Sequence, residues 1–264
     1  MTSALLGLAR DIALEAAELA VRRRAEGVAV AATKSSAVDV VTAADREVEA
    51  LIRGRLADAR PADGFLGEES GAEPGSSGLT WVVDPIDGTV NYLYGLPHYA
   101  VSIAVVEGGA DLAQWRALAG VVLNAPTGEL FEASAGGGAR VDGRVLRIGP
   151  PPELSQALIA TGFAYDAELR ASHGLRIARM LPRIRDIRRL GAASLDLCAV
   201  AAGRVDAYLE TRLSAWDFAA GALVVEEAGG RVADRDGGAP GDGLLLAGHP
   251  GMLARLGALL DGLG

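Results

Sequence analysis

The sequence predicts an α/β (α+β) protein of layered sheets and helices, on three observations. Short apolar runs punctuated by turn residues fill the first half of the chain, strand-like and helical runs alternate in the second, and 50% of the 264 residues are hydrophobic, enough for a sizeable core. A cleft is expected where the halves meet, a common place for small-molecule sites.

Two helices open the protein. Leu5, Leu8, Ile12, Ala16 and Leu19 recur at helical spacing, as do Val48, Leu51, Ile52 and Leu56 behind Thr42. Strands follow over 64–67, 81–84, 100–106, 118–123 and 129–133, with Gly136-Gly137-Gly138 and Asp142-Gly143 as turn signals. Such a succession with few helices points to a mainly antiparallel sheet. After Pro150-Pro151-Pro152 the rhythm changes: strands over 157–161, 186–190, 207–210 and 244–247 alternate with helices around 173–181, 194–202, 216–228 and 252–263. The expected division is 1–150, with the antiparallel sheet and most of the acidic motifs, and 151–264, an α/β half. Residues 237–243 read as a turn-rich loop.

Charge excludes several partners. A formal net charge of −9 and a pI near 4.9 oppose nucleic acid and anionic membrane. A phosphate ester is repelled too, so an acidic site for one needs cations in between. Cys198 is the single cysteine, which excludes an internal disulfide and fits a reducing compartment. Residues 2–24 are amphipathic and broken by Arg10, Asp11, Glu15 and Glu18, so neither a signal peptide nor a membrane span is expected and a cytoplasmic protein is. Lys34 is the one lysine among 25 lysines and arginines, either a stray surface residue or a place that needs a compact ammonium.

The segment Trp81-Val82-Val83-Asp84-Pro85-Ile86-Asp87-Gly88-Thr89-Val90-Asn91 carries the most chemistry. A buried strand runs into two carboxylates three positions apart, Pro85 presets a turn, and Gly88-Thr89 opens a helix with free N–H groups. Oxygen ligands for a hard cation thus stand beside a cradle for phosphate oxygens. Alone, the motif is equally an ordinary Asp-Pro-x-Asp-Gly turn. Gly67-Glu68-Glu69-Ser70 places two acids after a strand, where neighbouring side chains point to opposite faces, so one reaches a metal and the other an outer position. Thr42-Ala43-Ala44-Asp45 has the form of a capping box, and Asp45 is also placed to accept a proton from the Thr89 hydroxyl. Asp217, in Trp216-Asp217-Phe218-Ala219-Ala220-Gly221, suits a helix start, while the small residues after it allow close approach to another element. His98, His173 and His249 share no ligand spacing, Ser194 lacks a nucleophile-elbow context, and Arg22-Arg23-Arg24 reads as a solvated helix end.

Taken in order, Val41-Thr42-Ala43-Ala44-Asp45, Gly67-Glu68-Glu69-Ser70, Asp84-Pro85-Ile86-Asp87-Gly88-Thr89-Val90-Asn91 and Trp216-Asp217-Phe218-Ala219-Ala220-Gly221 resemble the signatures of the inositol monophosphatase family. The likeness runs from Lys34-Ser35-Ser36 to Glu226-Glu227-Ala228-Gly229-Gly230. It implies the layered αβαβα sandwich shared with fructose 1,6-bisphosphatase, a homodimer, and hydrolysis of inositol 1-phosphate by a metal-activated water without a covalent intermediate. It implies two or three Mg²⁺ ions on Glu68, Asp84, Asp87, Asp217 and the Ile86 carbonyl, with Glu69 as an outer acid and Asp45 and Thr89 orienting the water. Substrate contacts fall on Gly88, Thr89, Gly191, Ala192, Ala193 and Glu210, with Arg188 nearby and Lys34 in the matching mobile loop. Many relatives are lithium-sensitive.

Physics agrees with the metal. Four ionised acids carry about −4, which would repel a phosphate dianion strongly without cations. Departures from the family pattern at Ser214, Ala215 and the hydroxyl-free Gly191-Ala192-Ala193 bear on the alcohol part of the substrate. The same chemistry on fructose 1,6-bisphosphate, histidinol phosphate or a 3′-phosphonucleotide is the nearest alternative. Glu210 favours a polyol, since a carboxylate accepts from hydroxyls and repels a second phosphate. A non-catalytic regulatory protein on the same fold is the alternative of another class.

Overall fold

The computed structural model describes residues 2–28, 30–33, 40–108, 114–235, 240 and 243–262. Helices α1 (Thr2–Glu26) and α2 (Ala43–Ala59) form the first layer, with a small antiparallel pair, β1 (Val30–Thr33) and β2 (Val40–Thr42), between them in sequence. The second layer is an eight-stranded sheet of β3 (Gly64–Gly67), β4 (Gly71–Glu73), β5 (Leu79–Asp87), β6 (Ala100–Glu107), β7 (Arg116–Asn124), β8 (Leu130–Ser134), β9 (Gly138–Val141) and β10 (Arg144–Val145). Its order is β10-β9-β8-β7-β6-β5-β3-β4, antiparallel except where β3 runs parallel to β5. A short helix, α3 (Thr89–Tyr94), follows β5.

Helices α5 (Ala193–Ala201) and α6 (Ala215–Glu227) make the central layer. Beyond them lies a five-stranded sheet of β11 (Leu158–Thr161), β12 (Asp186–Arg188), β13 (Ala207–Thr211), β14 (Arg231–Asp234) and β15 (Leu244–Gly248), ordered β12-β11-β13-β15-β14. Helices α4 (Ala167–Met180) and α7 (Pro250–Asp261) close the far side. The predicted αβαβα layering is therefore present.

Side-chain alternation along the strands produces the layers. On β6, Val101, Ile103 and Val105 pack with α1 and α2, whereas Ala100, Ala104 and Val106 face α5 and α6. On the second sheet, Tyr208 and Ala247 join the central core, while Ile159, Leu209 and Leu246 pack with α4 and α7. The central helices are apolar on nearly every face because sheets cover them on both sides; Ser194 through Ala201 are all buried.

Helix starts are set by side chains. The Thr42–Asp45 capping box opens α2, Asp166 accepts from Leu169 N at 2.9 Å to open α4, and His249 caps α7. The last two caps explain why those helices begin six and two residues before the apolar periodicity: at Ala167 and Pro250 rather than 173 and 252. The hairpin β9–β10 and strand β14 lack the apolar run that identified other strands, and part of the 237–243 loop lies outside the described residues.

Close approach depends on missing side chains. A Cβ at Gly120 of β7 would stand 3.0 Å from Ala220 Cα, and one at Gly221 would stand 2.8 Å from Leu197 Cβ of α5. Thus Ala220 and Gly221 seat α6 against the sheet and against α5, as the small-residue run predicted. Gly120→Val is expected to force α6 off β7 and lower unfolding free energy by about 1–3 kcal/mol. Urea unfolding measures this; an unchanged midpoint would refute the seating.

Candidate active site

A cleft of about 620 Å³ opens between the end of β5, the N-termini of α3, α5 and α6, and β13. Its acids are brought together by a bulge. In a regular strand, residues three apart face opposite ways. Here Asp84 pairs with Ser102 and Asp87 with Ala100, so three steps on β5 match two on β6. The extra residue puts both carboxylates on the face toward α5 and α6. Ile86 turns its side chain into the α1–α2 core and leaves its carbonyl at the turn.

Glu68 reaches the same cleft from the end of β3, where its N–H donates to Val83 O at 3.2 Å. Glu69 does not line the cleft. Its N–H donates to Glu49 Oε2 at 2.8 Å, and its carboxylate lies 3.8 Å from Arg46. Asp217 arrives on the first turn of α6, its Oδ2 accepting from Ser214 N at 2.6 Å. The capping explanation and the delivery of Asp217 to the other half thus hold together.

Burial makes these acids weak. Asp84 is buried and hydrogen-bonded to Glu68, which requires a shared proton; desolvation, then Glu68, Asp87 and Asp217, push it well above the usual carboxylate range. Asp217 is raised well up by desolvation and by Asp87 and Glu68. Desolvation lifts Asp87 to about 6 against the lowering pull of its hydrogen bonds. Those bonds come from the other half of the chain: Ala193 N at 3.2 Å, Ser194 N at 2.7 Å and Ser194 Oγ at 2.5 Å. Asp87 therefore caps α5, whose own N-cap residue is Ala192.

The donor set fits Mg²⁺. Carboxylates from Glu68, Asp84, Asp87 and Asp217 with the Ile86 carbonyl are all hard oxygens. As the side chains stand, no three His, Cys, Asp or Glu among the described residues form a closed metal-binding group.

Thr89 lies beside this set at the start of α3. Its Oγ1 is 3.3 Å from Asp45 Oδ1 and 3.2 Å from Ile86 O. Asp45 also accepts from Thr42 N at 2.8 Å and Thr42 Oγ1 at 2.5 Å, and desolvation raises it to about 6. Gly88, with φ 92°, makes a left-handed turn that favours glycine.

The alcohol side of the cleft comes from the second half. Gly191, Ala192 and Ala193 line it, as does Glu210 of β13. Tyr208 Oη donates to Glu210 Oε2 at 2.5 Å, and desolvation raises Glu210 to about 7. Arg189, not Arg188, lines the cleft; Arg188 is exposed and paired with Asp186 at 2.8 Å. Arg188 is the last residue of β12, and Arg189 opens the segment that leads to Gly191 and α5. Lys34 lies outside the described residues. The histidines are dispersed: His173 contacts Thr211 at 2.5 Å, His249 caps α7, and His98 is not in the cleft wall.

Sequence reasoning gives no site role to four residues that the fold brings to the cleft or its support: Glu49, Ser194, Asp196 and Arg189. Gly67 is a usable signal for Glu49, because a Cβ there would crowd the Glu49 carboxylate, standing 2.7 Å from its Cδ. An acid at 196 inside an otherwise apolar helix is the signal for Asp196.

A sequence model described as "Inositol monophosphatase family" matches residues 1–261. An inositol-1-monophosphatase of Mycobacterium leprae is 43% identical across 96% of this chain and 92% of its own length. A protein of Pseudomonas aeruginosa named Nus factor SuhB is 42% identical across 88% of this chain and 86% of its own length. The crystal structure of the extragenic suppressor protein suhB from Bartonella henselae superposes with a TM-score of 0.90 at 36% identity, covering 98% of each chain. This chain, with its bulged acidic strand and five-layer fold, belongs to the inositol monophosphatase family.

Proposed function

We propose that this protein is a cytoplasmic, homodimeric, Mg²⁺-dependent phosphatase of small phosphate monoesters, with inositol 1-phosphate as its preferred substrate. The observation that carries this reading is the convergence of Glu68, Asp84, Asp87 and Asp217 on one cleft beside Thr89 and Glu210. The name of the Mycobacterium leprae relative supports the substrate. No helix among the described residues is long and apolar enough to cross a membrane.

In this reading Glu68, Asp84, Asp87, Asp217 and the Ile86 carbonyl hold two or three Mg²⁺ ions. Bound there, the metal supplies an acidified water and neutralises charge on the phosphate and leaving oxygen. Ionised Asp45 accepts the proton of Thr89 Oγ1, so the hydroxyl's lone pairs face the attacking water and orient it. Gly88 and Thr89, at the start of α3, offer backbone N–H groups to phosphate oxygens. Glu210, held by Tyr208, accepts from the substrate's hydroxyls. Glu69 stays outside the cleft, tied to Glu49 and Arg46, and fixes the turn from which Glu68 projects.

A regulatory reading is favoured by one observation, the name Nus factor SuhB on a relative 42% identical. The two separate by turnover. Phosphate release from inositol 1-phosphate is expected with Mg²⁺ and to fall to background with EDTA; equal rates would refute the metal-dependent reading. Asp84→Asn should reduce turnover to background, and Thr89→Ala should lower kcat by about 100-fold or more while removing no proposed ligand.

The raised acids also predict how the metal-free protein responds to pH. Asp45, Asp87 and Glu210 sit at about 6, 6 and 7, above their unfolded values, so the folded state binds more protons near neutrality. Stability is therefore gained as pH falls from about 8 toward about 5, and lost as it rises through about 6–7. Each group contributes about 1.4 kcal/mol for every tenfold gain in its proton affinity on folding. Thermal melts should show Tm higher at pH 6 than at pH 8 by about 5 °C or more without metal. Mg²⁺ should remove most of that difference, and a metal-free Tm that rises with pH would contradict the burial of these charges.

A further inference from the structure

One buried acid in the cleft has no role in the chemistry above. Asp196 sits near the start of α5, is 1% exposed, and lines the same cleft as Glu210 and Arg189. Its Oδ1 is buried with no hydrogen-bond partner among the described residues. The neighbouring acids differ: Asp87 takes three donors from α5, and Glu210 takes the Tyr208 hydroxyl. A buried carboxyl oxygen left unsatisfied costs about 1–3 kcal/mol or more, so a residue kept for folding alone would be paired. Among the described residues, nothing on α5 or the strands beside it supplies that pair. The cleft is what remains.

The chemistry of the missing partner can be narrowed. Asp196 lies on the Glu210 side, where Asp87 and Glu210 both repel negative charge. A phosphate or carboxylate is therefore disfavoured as the group it receives. A cation is opposed by Arg189, the nearest charged group of the other sign. A neutral hydroxyl fits: it donates to the unpaired oxygen and brings no charge. Glu210 already presents one free oxygen from β13, since Tyr208 occupies Oε2. Asp196 presents another from α5, on a separate element.

We propose that Asp196 is a specificity-determining residue that accepts a hydroxyl of the substrate's alcohol, so that Asp196 and Glu210 together select polyol phosphates bearing several neighbouring hydroxyls. This rests on the phosphatase reading and deepens it. Simple aryl or alkyl phosphates leave Asp196 unsatisfied in the complex and are disfavoured accordingly.

The test compares wild type, Asp196→Ala and Asp196→Asn on inositol 1-phosphate and phenyl phosphate, with thermal melts of each protein. The ratio of kcat/KM for inositol 1-phosphate to that for phenyl phosphate should fall about tenfold or more in Asp196→Ala. Asp196→Asn, which keeps an acceptor oxygen, should recover most of the ratio. Asp196→Ala should melt at or above the wild-type temperature, because removing an unpaired buried carboxyl relieves a penalty. An unchanged ratio, or a lowered Tm with both substrates equally impaired, would overturn the proposal and make Asp196 a structural residue. If wild type turns over phenyl phosphate and not inositol 1-phosphate, the substrate reading itself fails. No turnover of either substrate would remove the phosphatase reading instead.

Discussion

The Asp87 carboxylate is the joint on which the cleft depends. Helix α5 begins at Ala193 with no capping side chain of its own, and its first free N–H groups are satisfied by a carboxylate 106 and 107 residues earlier. A local cap contributes about 0.5–2 kcal/mol. This one also fixes where the second half sits relative to the bulged strand. Because α5 is held there, Gly191, Ala192, Ala193 and Asp196 line the cleft. Asn91 reinforces the joint, donating to Leu190 O at 2.8 Å and His98 O at 2.7 Å.

Holding the halves by an acid has an electrostatic consequence. The three donors on Asp87 favour its charge, yet Asp84, Asp217 and Glu68 crowd the same space. Burial favours protonation and the donors favour charge, and for Asp87 burial is the larger effect. The metal-free cleft is thus a concentrated acid whose repulsion a divalent cation would relieve. Stability given up there is supported by the layers on either side, where Trp81, Ile103 and Tyr208 are almost fully buried.

Much of this was legible from residue order. Apolar runs located most strands, Thr42 and Asp45 announced a helix start, and the ordered acidic motifs pointed to one family. What the order did not reveal was parity. Asp84 and Asp87 are three apart, which on a flat strand separates them; only the pairing with β6 exposes the extra residue that reunites them. Arg189 replaced Arg188 for a different reason: the strand ends at Arg188, and the next residue belongs to the segment that enters the cleft. Glu49 and Asp196 hid for another reason: each sits on a helix whose periodicity is dominated by apolar neighbours, and a buried acid there is informative only when its partner, or lack of one, is known.

Thr89 shows how closely charge and geometry are linked in the proposed mechanism. Its hydroxyl has one proton and two acceptors at nearly equal distance, Asp45 Oδ1 at 3.3 Å and Ile86 O at 3.2 Å. When Asp45 is ionised, the charged acceptor wins, since hydrogen bonds to charged groups are the stronger. The Ile86 carbonyl is then unencumbered and can serve as a ligand. Protonated, Asp45 is the weaker acceptor and the hydroxyl shifts its bond toward Ile86 O. Desolvation raises Asp45 to about 6 in the metal-free protein. The charge on Asp45 therefore exerts control over the direction of the Thr89 hydroxyl. The capping box at Thr42 that starts α2 is what keeps Asp45 in place to exercise it.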